Sequence, residues 1–104
     1  MNQYIITYLG GDKPSSPEEG RKHFVKYQEW LASLGEAAVQ PMVPVKNSHT
    51  ITPAGAVSAG SSVDMSGYTI IQAESIEQAI AYAKECPFLA IDGSLEVAEL
   101  VEMG

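Results

Sequence analysis

Two histidines, one cysteine and thirteen carboxylates are the groups in this 104-residue chain that could move protons or hold a metal. His23, in the run Arg21-Lys22-His23-Phe24, is the strongest acid–base candidate. An imidazole titrates near neutral pH and can serve either proton-transfer step of an elimination or a hydrolysis. At helical spacing His23 shares a stripe with Tyr27, Trp30 and Leu34, on the edge of the apolar face. That position also suits a boundary histidine that packs its ring and keeps one nitrogen in water, and the residues alone favour this second reading.

The other candidates divide in the same way. Asp64 lies in the loop Ser61-Ser-Val-Asp64-Met-Ser-Gly67, where a carboxylate more commonly caps or turns backbone than it catalyses. His49 opens a short strand and reads as exposed. Tyr8, Tyr27 and Trp30 could wall a substrate pocket for a planar ring. Their strand and helix spacing also suits core positions, and if buried their hydroxyls and indole nitrogen need partners. Cys86 precedes Pro87 at a helix C-terminus, where the dipole raises a thiol pKa and disfavours a nucleophile, so it reads as core.

Three further chemistries find no support. No Gly-x-Ser-x-Gly elbow accompanies the serines. The histidines, the cysteine and the scattered carboxylates form no ligand set at metal-binding spacing. Gly10-Gly11 and the Gly55–Gly60 stretch match neither phosphate-loop fingerprint. No cofactor and no metal is expected.

These side chains need elements to position them. Tyr4–Leu9 is a strand of β-branched and aromatic residues stopped by Gly10-Gly11, apolar on both faces and so expected to be covered on both. Ser16-Pro17-Glu18-Glu19 starts a helix, with Ser16 as cap, Pro17 at the first helical position and Glu19 in capping-box position. That helix turns Phe24, Tyr27, Leu31 and Leu34 toward a core, with Lys22, Lys26, Glu29 and Ser33 opposite, and stops at Gly35. Ala37–Met42 reads as a strand confined to an edge by Pro41 and Pro44. His49–Thr52 and Ala56–Ser58 suit a hairpin around Pro53-Ala54-Gly55.

Gly67–Ala73 is a further strand. Ser75 and Gln78 box the start of a second helix, on which Ile76, Ala79, Ile80 and Ala83 form a stripe that Pro87 ends. Ser94–Met103 reads as the last strand, with Leu95 and Val97 on one face and Ala98 and Leu100 on the other. The order β-α-β-(hairpin)-β-α-β places two helices on one face of an antiparallel sheet, an α+β ferredoxin-like layer. Its far face would be bare and apolar, so a homodimer with the two sheets packed face to face is expected.

Composition bounds the function classes. The length suits a single domain over residues 1–104, and 45% apolar residues suffice for a packed core. A net charge of −7 argues against nucleic acid and anionic membrane surfaces as partners. One cysteine forbids an intrachain disulfide, and the first apolar run is too short for a signal peptide or a membrane span. The chain is expected to be soluble and cytoplasmic.

The segment Gly67-Tyr-Thr-Ile-Ile-Gln-Ala-Glu-Ser-Ile-Glu-Gln-Ala79, with Ala83-Lys-Glu-Cys-Pro87 and the Glu96-Val97 strand, resembles the YCII-related (DGPF-type) proteins. Ser16-Pro-Glu-Glu19, Trp30, Ser33-Leu-Gly35 and the early Tyr-Ile-Ile strand fit the same pattern, while the middle matches poorly. The resemblance implies a dimeric α+β barrel with a pocket between sheet and first helix. It also implies, in some members, action on small ring compounds through a helix histidine and a nearby aspartate. His23 stands close to that histidine position, and Asp64 is the nearest residue to the aspartate. The Asp-Gly-Pro-Phe motif itself is replaced by Ser61–Gly67. The expected function is a small-molecule pocket with His23-dependent acid–base chemistry on a small ring compound. The alternative is a non-catalytic metabolite-binding or accessory dimerisation module.

Overall fold

The structure, a computed structural model, describes residues 1–103. In chain order the elements are β1 (Asn2–Gly10), α1 (Pro17–Leu34), β2 (Ala38–Pro44), β3 (His49–Ile51), β4 (Val57–Ala59), β5 (Met65–Ala73), α2 (Ile76–Lys84) and β6 (Gly93–Glu99). Short 3-10 turns occupy Gly35–Ala37 and Pro87–Ile91. Four strands form one sheet in the order β2-β5-β1-β6, with every neighbouring pair antiparallel. Each β-α-β unit therefore leaves a gap of one strand, and the other unit fills it. This is the ferredoxin-like α+β arrangement expected from the element order.

The caps form as the sequence requires. Ser16 Oγ accepts from Glu19 N at 3.2 Å, and Ser75 Oγ accepts from Gln78 N at 3.1 Å. Gln78 closes its box one residue early, accepting from Glu74 N at 2.7 Å. Each cap satisfies amide donors that the first turn of a helix cannot, a contribution of about 1 kcal/mol.

One face of the sheet holds the core. Tyr4, Ile6 and Tyr8 of β1 stand beside Ile71, Thr69 and Gly67 of β5, all buried. Tyr27 and Trp30 of α1 and Ala79 and Ala83 of α2 cover them. Trp30 Nε1 donates to Tyr82 O at 3.0 Å, which links the two helices over the same face. With helices on one side, the molecule measures 45 × 43 × 18 Å, so its thin dimension holds two layers. The other face, carrying Ile5, Thr7, Leu9, Tyr68 and Ile70, is half-buried and has no helix over it.

Several expectations need correcting. Phe24 is 56% exposed, while Trp30 is buried in its place. The buried stripe runs from Tyr27 toward Trp30, three residues on, which leaves Phe24, three residues back, at the outer edge. Ile76 and Ile80 of α2 are also partly open, because only the small Ala79 and Ala83 reach the sheet. The final strand stops at Glu99 rather than running on to Met103; its last register contact is Tyr4–Glu99, followed by one bond from Leu100 N to Gln3 O. The turn Pro87–Ile91 was not foreseen. It presses Phe88 against Tyr8, ring centroids 5.1 Å apart, and into the space left by Gly11 and Gly93.

Strands β3 and β4 make a separate two-stranded arm at the far end of the β2–β5 pair. His49 opens it and is exposed, and its ring nitrogen Nδ1 lies 2.9 Å from Asn47 O.

Candidate functional site

His23 stands at the wall of a cavity of about 540 Å³ on the flank of α1. Three segments build it. The loop Asp12–Ser15 forms one wall and is pinned in place by Asp12 N donating to Ile91 O at 2.7 Å. Glu19, Gly20, Lys22, His23 and Lys26 of α1 form the second. Ala90 and Ile91, at the end of the 3-10 turn, form the third. Pro14 of the loop lies against α1 at Gly20, close enough that a β-carbon there would be in ordinary van der Waals contact with its ring.

The imidazole of His23 packs edge-on to Tyr27, with ring centroids 4.8 Å apart and planes at 89°. Its Nε2 is shut off from solvent and has no hydrogen-bond partner. Nδ1 is therefore the nitrogen that can meet a ligand in the cavity. Burial of the ring, with a smaller contribution from the Lys26 ammonium, holds the pKa of His23 below its ordinary value. The ring is thus neutral near neutral pH. Protonating it would place a charge on a partly buried ring, so it is a weak base and, once protonated, a ready acid.

Asp64 is placed elsewhere. Its backbone takes a positive φ of 55°, its carbonyl accepts from Gly10 N at 2.8 Å, and its Oδ2 lies against Gly10. Asp64 thus lies at Gly10, whereas His23 shares its cavity with Asp12–Ser15, the following part of the same loop. The carboxylate is not among the residues lining the His23 cavity, and among the described residues no carboxylate bonds to the imidazole.

Tyr8, Tyr27 and Trp30 fill the space between α1 and the sheet rather than lining the His23 cavity. Tyr8 Oη shares a hydrogen bond with Thr69 Oγ1 at 2.5 Å. Tyr27 Oη faces the Cys86 thiol without meeting hydrogen-bond geometry, and it is buried and unpartnered. Burial pushes both phenols far above their ordinary pKa. It also raises Cys86, so the thiol is inert, chiefly through desolvation rather than the helix dipole.

A second depression, about 360 Å³, lies between α2 and β6 and was not anticipated. Ile76, Ile80, Ala83, Leu89, Leu95 and Val97 line it, with Lys84 at its edge. Its signal in the sequence was the bulk of Ile76 and Ile80 beside two alanines. Among the described residues no group of three histidines, cysteines or carboxylates converges to hold a metal, and no helix is long and apolar enough to cross a membrane.

No family model matches the chain, and no curated protein matches it. Among solved structures it is similar to 5-chloro-2-hydroxyhydroquinone dehydrochlorinase of Burkholderia phenoliruptrix AC1100, solved in complex with 2,5-dihydroxybenzoquinone. The TM-score is 0.58 at 20% identity, over 97% of this chain and 95% of that one. The likeness shows the fold, a ferredoxin-like α+β layer.

Proposed function

We propose that this chain is a YCII-related cytoplasmic protein that binds a small ring compound in the His23 cavity and acts on it by acid–base chemistry, without cofactor. The observation that carries the reading is a neutral imidazole on the wall of a cavity large enough for a single ring. In this reading Nδ1 of His23 takes a proton from a ring carbon or hydroxyl and returns it at the leaving-group step. The dehydrochlorinase that shares the fold acts on a chlorinated hydroquinone, which makes phenols and quinones the first compounds to try. Tyr27 holds the imidazole plane. Asp64 enters the reaction only if the Gly10–Pro14 segment shifts on binding. The open sheet face carrying Ile5, Leu9 and Ile70 packs against a second copy.

One observation favours a second reading, a metabolite-binding module in which His23 only contacts the ligand. No carboxylate orients the imidazole, and a histidine used as a base commonly has such a partner.

Thermal shift against phenols, quinones, lactones and organic acids, with turnover followed in the same samples, separates the two readings. A ligand at about a hundred times its dissociation constant adds roughly 2.7 kcal/mol, on the order of ten degrees for a domain of this size. Turnover lost in His23→Ala with the fold intact supports catalysis. Binding without turnover supports the module. Full activity in His23→Ala rejects the proposed role of the histidine.

A further inference from the structure

The β3–β4 arm stands away from the rest of the chain. Every residue from Ile51 to Gly60 is exposed. Among the described residues, the hydrogen bonds of Thr50 to Gly60 all stay within the arm. The radius of gyration, 15.0 Å, exceeds the ~13 Å of a compact chain of this length, in keeping with a projecting arm. Ile51 and Val57 are register partners, so they share one face of the ribbon, and they are 68% and 63% exposed.

An isolated two-stranded ribbon is barely stable in water, and natural proteins guard free strand edges with charge. This arm does the opposite. Between Lys46 and Asp64 the chain has no Asp, Glu, Lys or Arg, although such residues make up 18% of the whole. A ribbon so composed is built to be covered.

The same chain offers a matching surface, the apolar depression formed by Ile76, Ile80, Leu89, Leu95 and Val97. The arm leaves the sheet beside β2 and β5, whereas β6 is the opposite edge, so the depression lies on the far side from the root of the arm. We infer that the arm of one copy lies in the α2–β6 depression of a second copy, and that the two copies exchange arms about a twofold axis. Charge singles out this partner. Two copies of net charge −7 repel each other, and an uncharged arm meeting a depression whose one charged lining residue is Lys84 brings no carboxylates together. A basic partner would seek carboxylates, which the arm lacks. The inference rests on the dimer read from the open sheet face and adds a second contact to it.

The test mixes two single variants of the intact chain, Val57→Cys on the arm and Ile80→Cys in the depression, one of them isotope-labelled, with a short bismaleimide cross-linker. Cys86 is buried and stays out of the reaction. Mass spectrometry is expected to find dimers linking one chain of each kind. Linkage of Val57→Cys chains to one another in preference, or a sedimenting dimer with no mixed linkage, overturns the exchange and leaves the sheet face as the interface.

Sedimentation gives a second reading. Ile51→Glu should weaken the dimer about tenfold or more, as for a central apolar contact. Adding Ile80→Lys to it should recover part of the loss, because the two new charges then face each other across the contact. Both isoleucines are exposed in the single chain, so the substitutions leave the fold intact. A dissociation constant unchanged by Ile51→Glu overturns the inference while the dimer stands. A wild type that sediments as a monomer rejects the dimer itself, and the exchange with it.

Discussion

His23 and Tyr27 lie one helical turn apart with their rings at right angles, and each carries a buried polar atom without a hydrogen-bond partner, Nε2 of one and Oη of the other. Unpaired buried polar groups are uncommon because each loses its hydration for no return. Two on successive turns of one helix mark the place where α1 departs from ordinary core packing.

The two tyrosine hydroxyls should respond oppositely to deletion. Tyr27→Phe removes an unsatisfied group and is expected to be neutral or stabilising by up to about 1 kcal/mol. Tyr8→Phe breaks the bond to Thr69, leaves a buried hydroxyl unpaired and should cost about 1–2 kcal/mol. Urea unfolding of both variants measures the difference. A larger loss in Tyr27→Phe would mean that its hydroxyl is bonded after all.

The pKa of His23 sets a pH dependence with a definite sign. The unfolded chain protonates this residue near pH 6.5, and the folded chain only below that. Between the two values the unfolded state binds more protons, so stability falls as pH falls through that window. His23→Gln abolishes this increment, and its denaturation midpoint should decline less than the wild type's on acidification. NMR titration adds a second check. Lys26→Met should raise the imidazole pKa while leaving it under the ordinary value, since burial is the larger cause and Lys26 the smaller.

Gly93 is a packing requirement. A β-carbon there would overlap the Phe88 ring, which is itself held by Tyr8 and the space over Gly11. Gly93→Ala should destabilise by about 2 kcal/mol or more. Combining it with Phe88→Leu should recover part of that loss. A thermal midpoint unchanged by Gly93→Ala would show that the ring moves freely.

The open sheet face gives the assembly prediction. Ile5 and Ile70 are register partners on that face, half-buried with no element over them. If two sheets pack there, Ile70→Lys places an unpaired charge in the interface and should yield a folded monomer by sedimentation. A dimer that survives Ile70→Lys, or a wild type that is already monomeric, would reject face-to-face packing.

What the sequence determined by itself is the order and kind of the elements. Ser16 and Ser75 cap the two helices because a hydroxyl three residues before an amide satisfies it locally. Gly10-Gly11, Gly35 and Pro87 stop elements through their own backbone constraints. The strand periodicity grouped Tyr4, Ile6 and Tyr8 on one face of β1 and Leu95 and Val97 on one face of β6, without deciding which face the helices cover. All of these effects act within a few residues, so they can be read along the chain.

The tertiary structure alone decided the site. The His23 cavity joins Asp12–Ser15, part of α1 and Ala90–Ile91, segments separated by up to about eighty residues whose meeting depends on the sheet order and on the 3-10 turn Pro87–Ile91. It also sent Asp64 to the side of Gly10, turned Trp30 inward in place of Phe24 and left Ile76 and Ile80 open. A cavity is the volume that long-range packing fails to fill, and no local pattern of residues reports it.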